Sequence, residues 1–148
     1  MNLCKSLREI DGDLPNGFHD ALLEAVTVSF ASNSAKLVLQ LSMGGPDAAT
    51  EEEREAYKRA ELCLSDLVYF MIDPPAPGYE YSKARALRID GGDATDDSSP
   101  RSPGPRGVLP PGAFAYWFFV EQWNSFIHVA ALSATLQWSE SSTGWENL

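Results

Sequence analysis

The sequence predicts a mainly β protein, an antiparallel curved sheet or small β-sandwich with one or two short helices, with α+β as the alternative class. Three observations carry that expectation. Apolar residues recur at every second position in Val26-Val28-Phe30 and in Leu37-Leu39-Leu41, the period of a strand with one face on a core. Clusters of turn formers separate these rows. The segment "AFAYWFFV" is apolar on both alternating faces, as expected of a central strand covered from two sides.

The leader Met1 to Gly17 ends in "DGDLPNG", rich in turn formers, so regular structure is expected to begin near Phe18. The rows around Val28 and Leu39 flank "ASNS" and read as a hairpin. "TEEEREAYKRA" places acids before cations after Thr50, which suits a short exposed helix or a charged loop. "AELCLSDLVYFMIDPP" changes its apolar phase across Ser65-Asp66, predicting a bulge or break, and Pro74-Pro75 stops the strand. "KARALRID" offers a strand with Leu87 and Ile89 inward. Gly91 to Gly112, dominated by Gly, Pro, Ser and Asp, reads as a flexible acidic, proline-rich loop. In the last block, Phe126, His128, Ala130, Leu132, Ala134, Leu136 and Trp138 form one alternating row of a long bent strand, and the tail after Trp138 is expected to fray.

Residues 1–148 are expected to form a single domain, since this length supports one core without disulfides or a structural metal. A hydrophobic share of 44% is too high for a disordered chain, and no apolar run reaches membrane-spanning length. Charges occur from the fifth residue onward, unlike a secretory leader, so a cytoplasmic location and free thiols at Cys4 and Cys63 are expected. Eleven Lys and Arg stand against 21 Asp and Glu, a formal charge of -10, and no cation follows Arg106. A phosphate-tracking groove needs clustered cations, so nucleic acid is excluded as the expected partner and a basic protein is favoured.

His19-Asp20 is the most suggestive pair. Neighbouring side chains of an extended segment point to opposite faces, so the two are not expected to form the hydrogen-bonded pair of a triad. No GxSxG elbow supplies a nucleophile. Asp20 is therefore expected to accept backbone N–H bonds at the strand entry, with His19 anchored locally. His128 lies among apolar residues and reads as a core histidine. A metal site joining His19, His128 and a carboxylate lacks any close ligand spacing, so no metal or cofactor is expected. "DGGDATDD" lacks the register of an EF-hand loop. Trp123 and Asn124 sit at a turn, where an indole beside an amide either forms a contact patch or folds back over the open end of the sheet. Tyr79 is a second aromatic candidate in the connection "APGYEY".

Taken together, "GFHDALLEAVTVSF", "AELCLSDLVYFMIDPP" and "YWFFVEQWNSFIHVAA" resemble a group of small uncharacterised bacterial β-rich proteins, and the leading "HDA" is similar to segments of some immunity-type proteins that accompany polymorphic toxins. The resemblance covers Leu14 to Trp138 apart from Gly91 to Gly112. It implies a compact β-rich protein with no catalytic residues to carry over. The expected function is non-enzymatic binding of a macromolecule, in the form of an immunity-like inhibitor of a basic toxin. His19, Asp20, Tyr79, Trp123 and Asn124 are the candidate contacts. The alternatives are a small-ligand-binding β-barrel and a hydrolase built on His19, Asp20 and His128.

Overall fold

The computed structural model describes residues 5–44, 50, 56–81, 83–95 and 109–139. The chain opens with a helix, α1 (Leu7–Asp13), followed by strands β1 (His19–Ser29), β2 (Ser34–Ser42), β3 (Tyr57–Ile72), β4 (Leu87–Ala94), β5 (Phe114–Val120) and β6 (Ser125–Trp138). A 3-10 turn, Glu121–Trp123, joins β5 to β6. The strands close into a barrel in the order β1-β2-β3-β6-β5-β4, antiparallel throughout, with β4 pairing back onto β1. Closure takes the pairing groups of the outer strands off the surface, where open edges invite association. The sheet is thus more specific than the curved sheet or sandwich read from the sequence. No helix among the described residues is long and apolar enough to cross a membrane, which says nothing of strands.

The barrel interior is filled by side chains that follow the period of two. β2 contributes Leu37, Leu39 and Leu41, and β3 contributes Ala60, Leu62 and Leu64. β5 adds Tyr116, Phe118 and Val120. Phe18 meets Tyr116 and Phe118 edge-on, with ring centroids 5.9 and 5.2 Å apart, the arrangement that aromatic quadrupoles favour.

α1 falls inside the leader expected to be irregular. Ser6 Oγ accepts the Glu9 N–H at 3.2 Å while Glu9 Oε1 accepts the Ser6 N–H at 3.0 Å, a reciprocal capping box. Leu7 and Ile10 are buried in the core. Lys5 pairs through its backbone with Ala134, occupying the edge of β6 that extends beyond β5.

Bulges explain where the sequence reading departs from the structure. β1 shifts register between Leu23 and Ala25, so its inward row runs Ala21, Leu23, Val26, Val28, and Phe30 falls in the turn, 93% exposed. β3 runs unbroken through Ser65-Asp66, where a bulge or break was expected: Asp66 takes a left-handed φ of 54°, and the register shift falls further on, between Leu67 and Tyr69. The stretch expected as a short helix instead enters β3, which holds Lys58 and Arg59, while residues 51–55 lie outside the described residues. β4 continues through Gly91 and Gly92 to Ala94, four residues into the stretch expected as a loop, and 96–108 and 140–148 lie outside the described residues.

β6 requires a correction. Ile127, Val129 and Ala131 face the core, and the inward phase passes to Ala134 only after Leu132-Ser133. His128 therefore lies on the outer surface of the barrel. It is nevertheless only 1% exposed, because Met71 and Trp117 flank it in register and Phe126 lies 5.9 Å away. Cys63 is a free, half-buried thiol.

Candidate functional site

The entry to β1 brings five polar side chains together. Its backbone is held first: Asp11 Oδ1 accepts the Phe18 N–H at 2.9 Å, and the His19 and Ala21 N–H groups reach the Asn16 and Phe18 carbonyls. The carboxylate that caps this entry is therefore Asp11, where Asp20 was expected. Asp20 adopts φ 62°, a left-handed conformation uncommon for a side chain other than glycine. The register shifts between His19 and Ala21. This single-residue bulge cancels the alternation that should have sent His19 and Asp20 to opposite faces.

The pair consequently shares the outer surface. His19 Nδ1 lies 2.9 Å from Asp90 Oδ1, and Nε2 lies 3.7 Å from Asp20 Oδ2. The other Asp20 oxygen accepts from Arg88 Nη2 at 2.6 Å, while Arg88 Nε reaches Glu121 Oε2 at 3.1 Å. Hydrogen bonding to Asp20, then its charge and that of Glu121, hold the Arg88 guanidinium above its ordinary pKa. Gln122 Oε1 accepts the Arg88 backbone N–H, tying the patch to the 3-10 turn. Tyr57 Oη donates to the Asp20 carbonyl at 3.1 Å.

Three carboxylates thus surround one arginine and one histidine whose side chain is 62% exposed. The three carboxylates outnumber the one guanidinium. His19, Asp20 and Asp90 hold ligand atoms within 4.8 Å of one another and could offer them to a divalent ion. Arg88 competes for one Asp20 oxygen. Among the described residues, no serine, threonine or cysteine side chain is paired with His19, so the patch has no preset nucleophile.

The two histidines do not share a site. His128 Nε2 lies 2.8 Å from Asp73 Oδ2, its Nδ1 is buried without a partner among the described residues, and the described cluster that could offer ligands to an ion, His19 with Asp20 and Asp90, does not include His128. The metal arrangement built on both histidines is not formed. Trp123 is 7% exposed, with Tyr81 edge-on at 5.0 Å. It folds over the end of the barrel, the second of the two outcomes expected for it, and is not an exposed anchor. Asn124 is an exposed left-handed turn residue whose N–H reaches the Glu121 carbonyl. Tyr79 is half exposed in a turn closed onto Ala76, apart from the His19 cluster.

The sequence reading missed Tyr57, Arg88 and Glu121 as site residues. Arg88 and Asp90 do carry a signal, lying two apart on the outward face of "LRID" while Leu87 and Ile89 face the core. No protein-family model matches the chain, and neither curated proteins nor solved structures give a match.

Proposed function

We propose that this barrel is a binding protein that docks a basic protein partner on the patch formed by His19, Asp20, Asp90 and Glu121, in the manner of an immunity-like inhibitor. One observation carries the reading: three surface carboxylates are held in place by Arg88 at 2.6 and 3.1 Å and by His19 at 2.9 Å. Fixed acids lose little freedom when a partner cation arrives, so more of the interaction is available for affinity. The formal charge of -10 would speed encounter with a basic surface. Tyr57, exposed at the rim, adds an aromatic surface suited to an arginine or lysine.

The other classes receive less support. A hydrolase needs a nucleophile against its base, and each histidine instead pairs with its own carboxylate. A ligand carried in the centre of the barrel competes with Phe18, Tyr116, Phe118 and the leucines of β2 and β3.

The test installs a photo-crosslinking side chain at position 57 of the full chain, and at exposed Thr27 as control, in the source cells. A single basic protein captured from position 57 and not from position 27 is expected. Its affinity for the purified chain should fall at least about tenfold in Asp20→Asn/Asp90→Asn and should fall with added salt. Absence of an adduct, equal capture from both positions, or an affinity indifferent to the carboxylates would refute the proposal. So would micromolar Zn2+ raising the thermal midpoint of the parent but not of His19→Ala, since that outcome assigns the patch to a metal.

A further inference from the structure

A second site lies at the α1 end of the barrel, independent of the His19 patch. There the ends of β4 and β5 and the start of α1 border a half-open cavity of about 290 Å3. Its walls are largely apolar, with Ala94, Ala113 and Phe114 among the lining residues. Tyr116 also lines it, and its side chain is almost wholly buried, 1% exposed. The ring position is fixed: a Cβ built on Gly92 would fall 2.7 Å from Tyr116 Cε1, so only glycine lets the phenol lie there.

Two of the residues that line this cavity carry buried hydroxyls, Tyr116 Oη and Thr95 Oγ1, that have no hydrogen-bond partner among the described residues. A core rarely leaves such groups unused. Burial raises the Tyr116 pKa far above its ordinary value, so the phenol remains a neutral donor at physiological pH. The nearby carboxylates are already engaged, Asp11 with the Phe18 N–H and Asp93 with the Ala94 N–H. Arg8 is the cation that lines the cavity, exposed on α1, and among the described residues no carboxylate pairs with it.

The geometry points to a binding site for a small monocarboxylate with an apolar body, its oxygens accepting from Arg8, Tyr116 and Thr95 and its chain lying on Ala94, Ala113 and Phe114. At roughly 30 Å3 per non-hydrogen atom, the share of one water in the liquid, the cavity holds about ten such atoms. Octanoate has that size and chemistry.

The experiment titrates the full chain with octanoate, 1-octanol and octylamine by calorimetry. Saturable binding of octanoate, stronger than that of the alcohol or the amine, is expected. Tyr116→Phe, which removes one oxygen and keeps the ring, should weaken octanoate about tenfold, the scale of a hydrogen bond to a charged group. Arg8→Gln should bring octanoate and octanol to similar affinity. Ala113→Leu, which fills the cavity, should abolish binding while circular dichroism shows an intact fold. No saturable binding up to roughly ten millimolar octanoate overturns the proposal. Binding that survives both Tyr116→Phe and Ala113→Leu overturns the location, and equal affinity for all three probes overturns the ligand class.

Discussion

Replacing Asp20 separates the two things that residue does. Its backbone occupies the left-handed region at φ 62°, and its carboxylate pairs with Arg88 at 2.6 Å. Aspartate tolerates that conformation several-fold better than alanine, so the exchange adds about 1 kcal/mol of backbone strain to what Asp20 already bears. The ion pair adds little, because 34% of the Asp20 side chain and 51% of the Arg88 side chain remain exposed, and pairs of that kind contribute at most about 1 kcal/mol. Asp20→Ala should therefore lose about 2 kcal/mol in total. Asp20→Gly loses the same pair but relieves the backbone, and after the entropy cost of glycine its net loss should stay near or below about 1 kcal/mol. Asp20→Asn keeps the tolerance for the left-handed region and should behave like the glycine variant. The Tyr57 bond is common to all three, since it ends on the main-chain carbonyl.

Urea unfolding measures the order directly. With a slope of about 2 kcal/mol per molar, Asp20→Ala should move the midpoint down by about one molar, and the glycine and asparagine variants by half that or less. If glycine proved as damaging as alanine, the carboxylate rather than the bulge would carry the stability. His19→Ala, whose partner Asp90 is also exposed, should change stability by less than about 0.5 kcal/mol.

Three further outcomes follow from buried groups. His128→Ala should cost about 2–4 kcal/mol, combining the lost imidazole packing with the lost bond to Asp73, and a parental midpoint in thermal unfolding would contradict the burial of this outward residue. Gly92→Ala should cost more than about 3 kcal/mol or prevent folding, because its Cβ would sit 2.5 Å from the Trp117 carbonyl oxygen; a soluble variant with parental circular dichroism and midpoint would refute the close approach of β4 to β5. The buried Tyr116 phenol holds its proton to higher pH than an unfolded tyrosine, so the stability from this group is complete below pH 10 and declines as pH rises beyond it. Unfolding free energies measured on either side of pH 10 should show a steeper alkaline fall in the parent than in Tyr116→Phe, and equal slopes would refute the assignment.

The sequence made the strands visible wherever one face was apolar and the other polar. Leu37, Leu39 and Leu41 alternate with Lys36 and Gln40, and the structure buries those leucines as expected. In β6 both rows are apolar or small: Phe126, Ala130 and Leu132 on one side, Ile127, Val129 and Ala131 on the other. Alternation alone does not choose between them, and the even row with Phe126 and Leu132 reads as the more apolar. Burial was set by what the neighbouring strands supply, and Tyr116 and Phe118 of β5 face the core beside Val129 and Ile127. The helix was legible in principle, because "SLRE" is a capping box before Ile10. The Gly and Pro residues that follow it, Gly12 and Pro15, concealed that signal. Barrel closure was not legible, since it depends on Ala21–Leu23 meeting Leu87–Ile89, segments far apart in the chain.

The candidate site was hidden for a related reason. A strict strand sends His19 and Asp20 to opposite faces and leaves no shared site. A closed six-stranded barrel needs strong local twist and curvature, which bulges supply. Register shifts occur beside Asp20, at Glu24 and at Val68. At the first of these, the residue that takes the left-handed conformation also carries a carboxylate, so the bend that helps close the barrel delivers an acid to the histidine's side. Arg88 and Asp90 stand across the same strand pair, on β4 where it joins β1. Alternation failed as a guide to "HDA" at the residue that closure bends, and that bend assembles the charged patch.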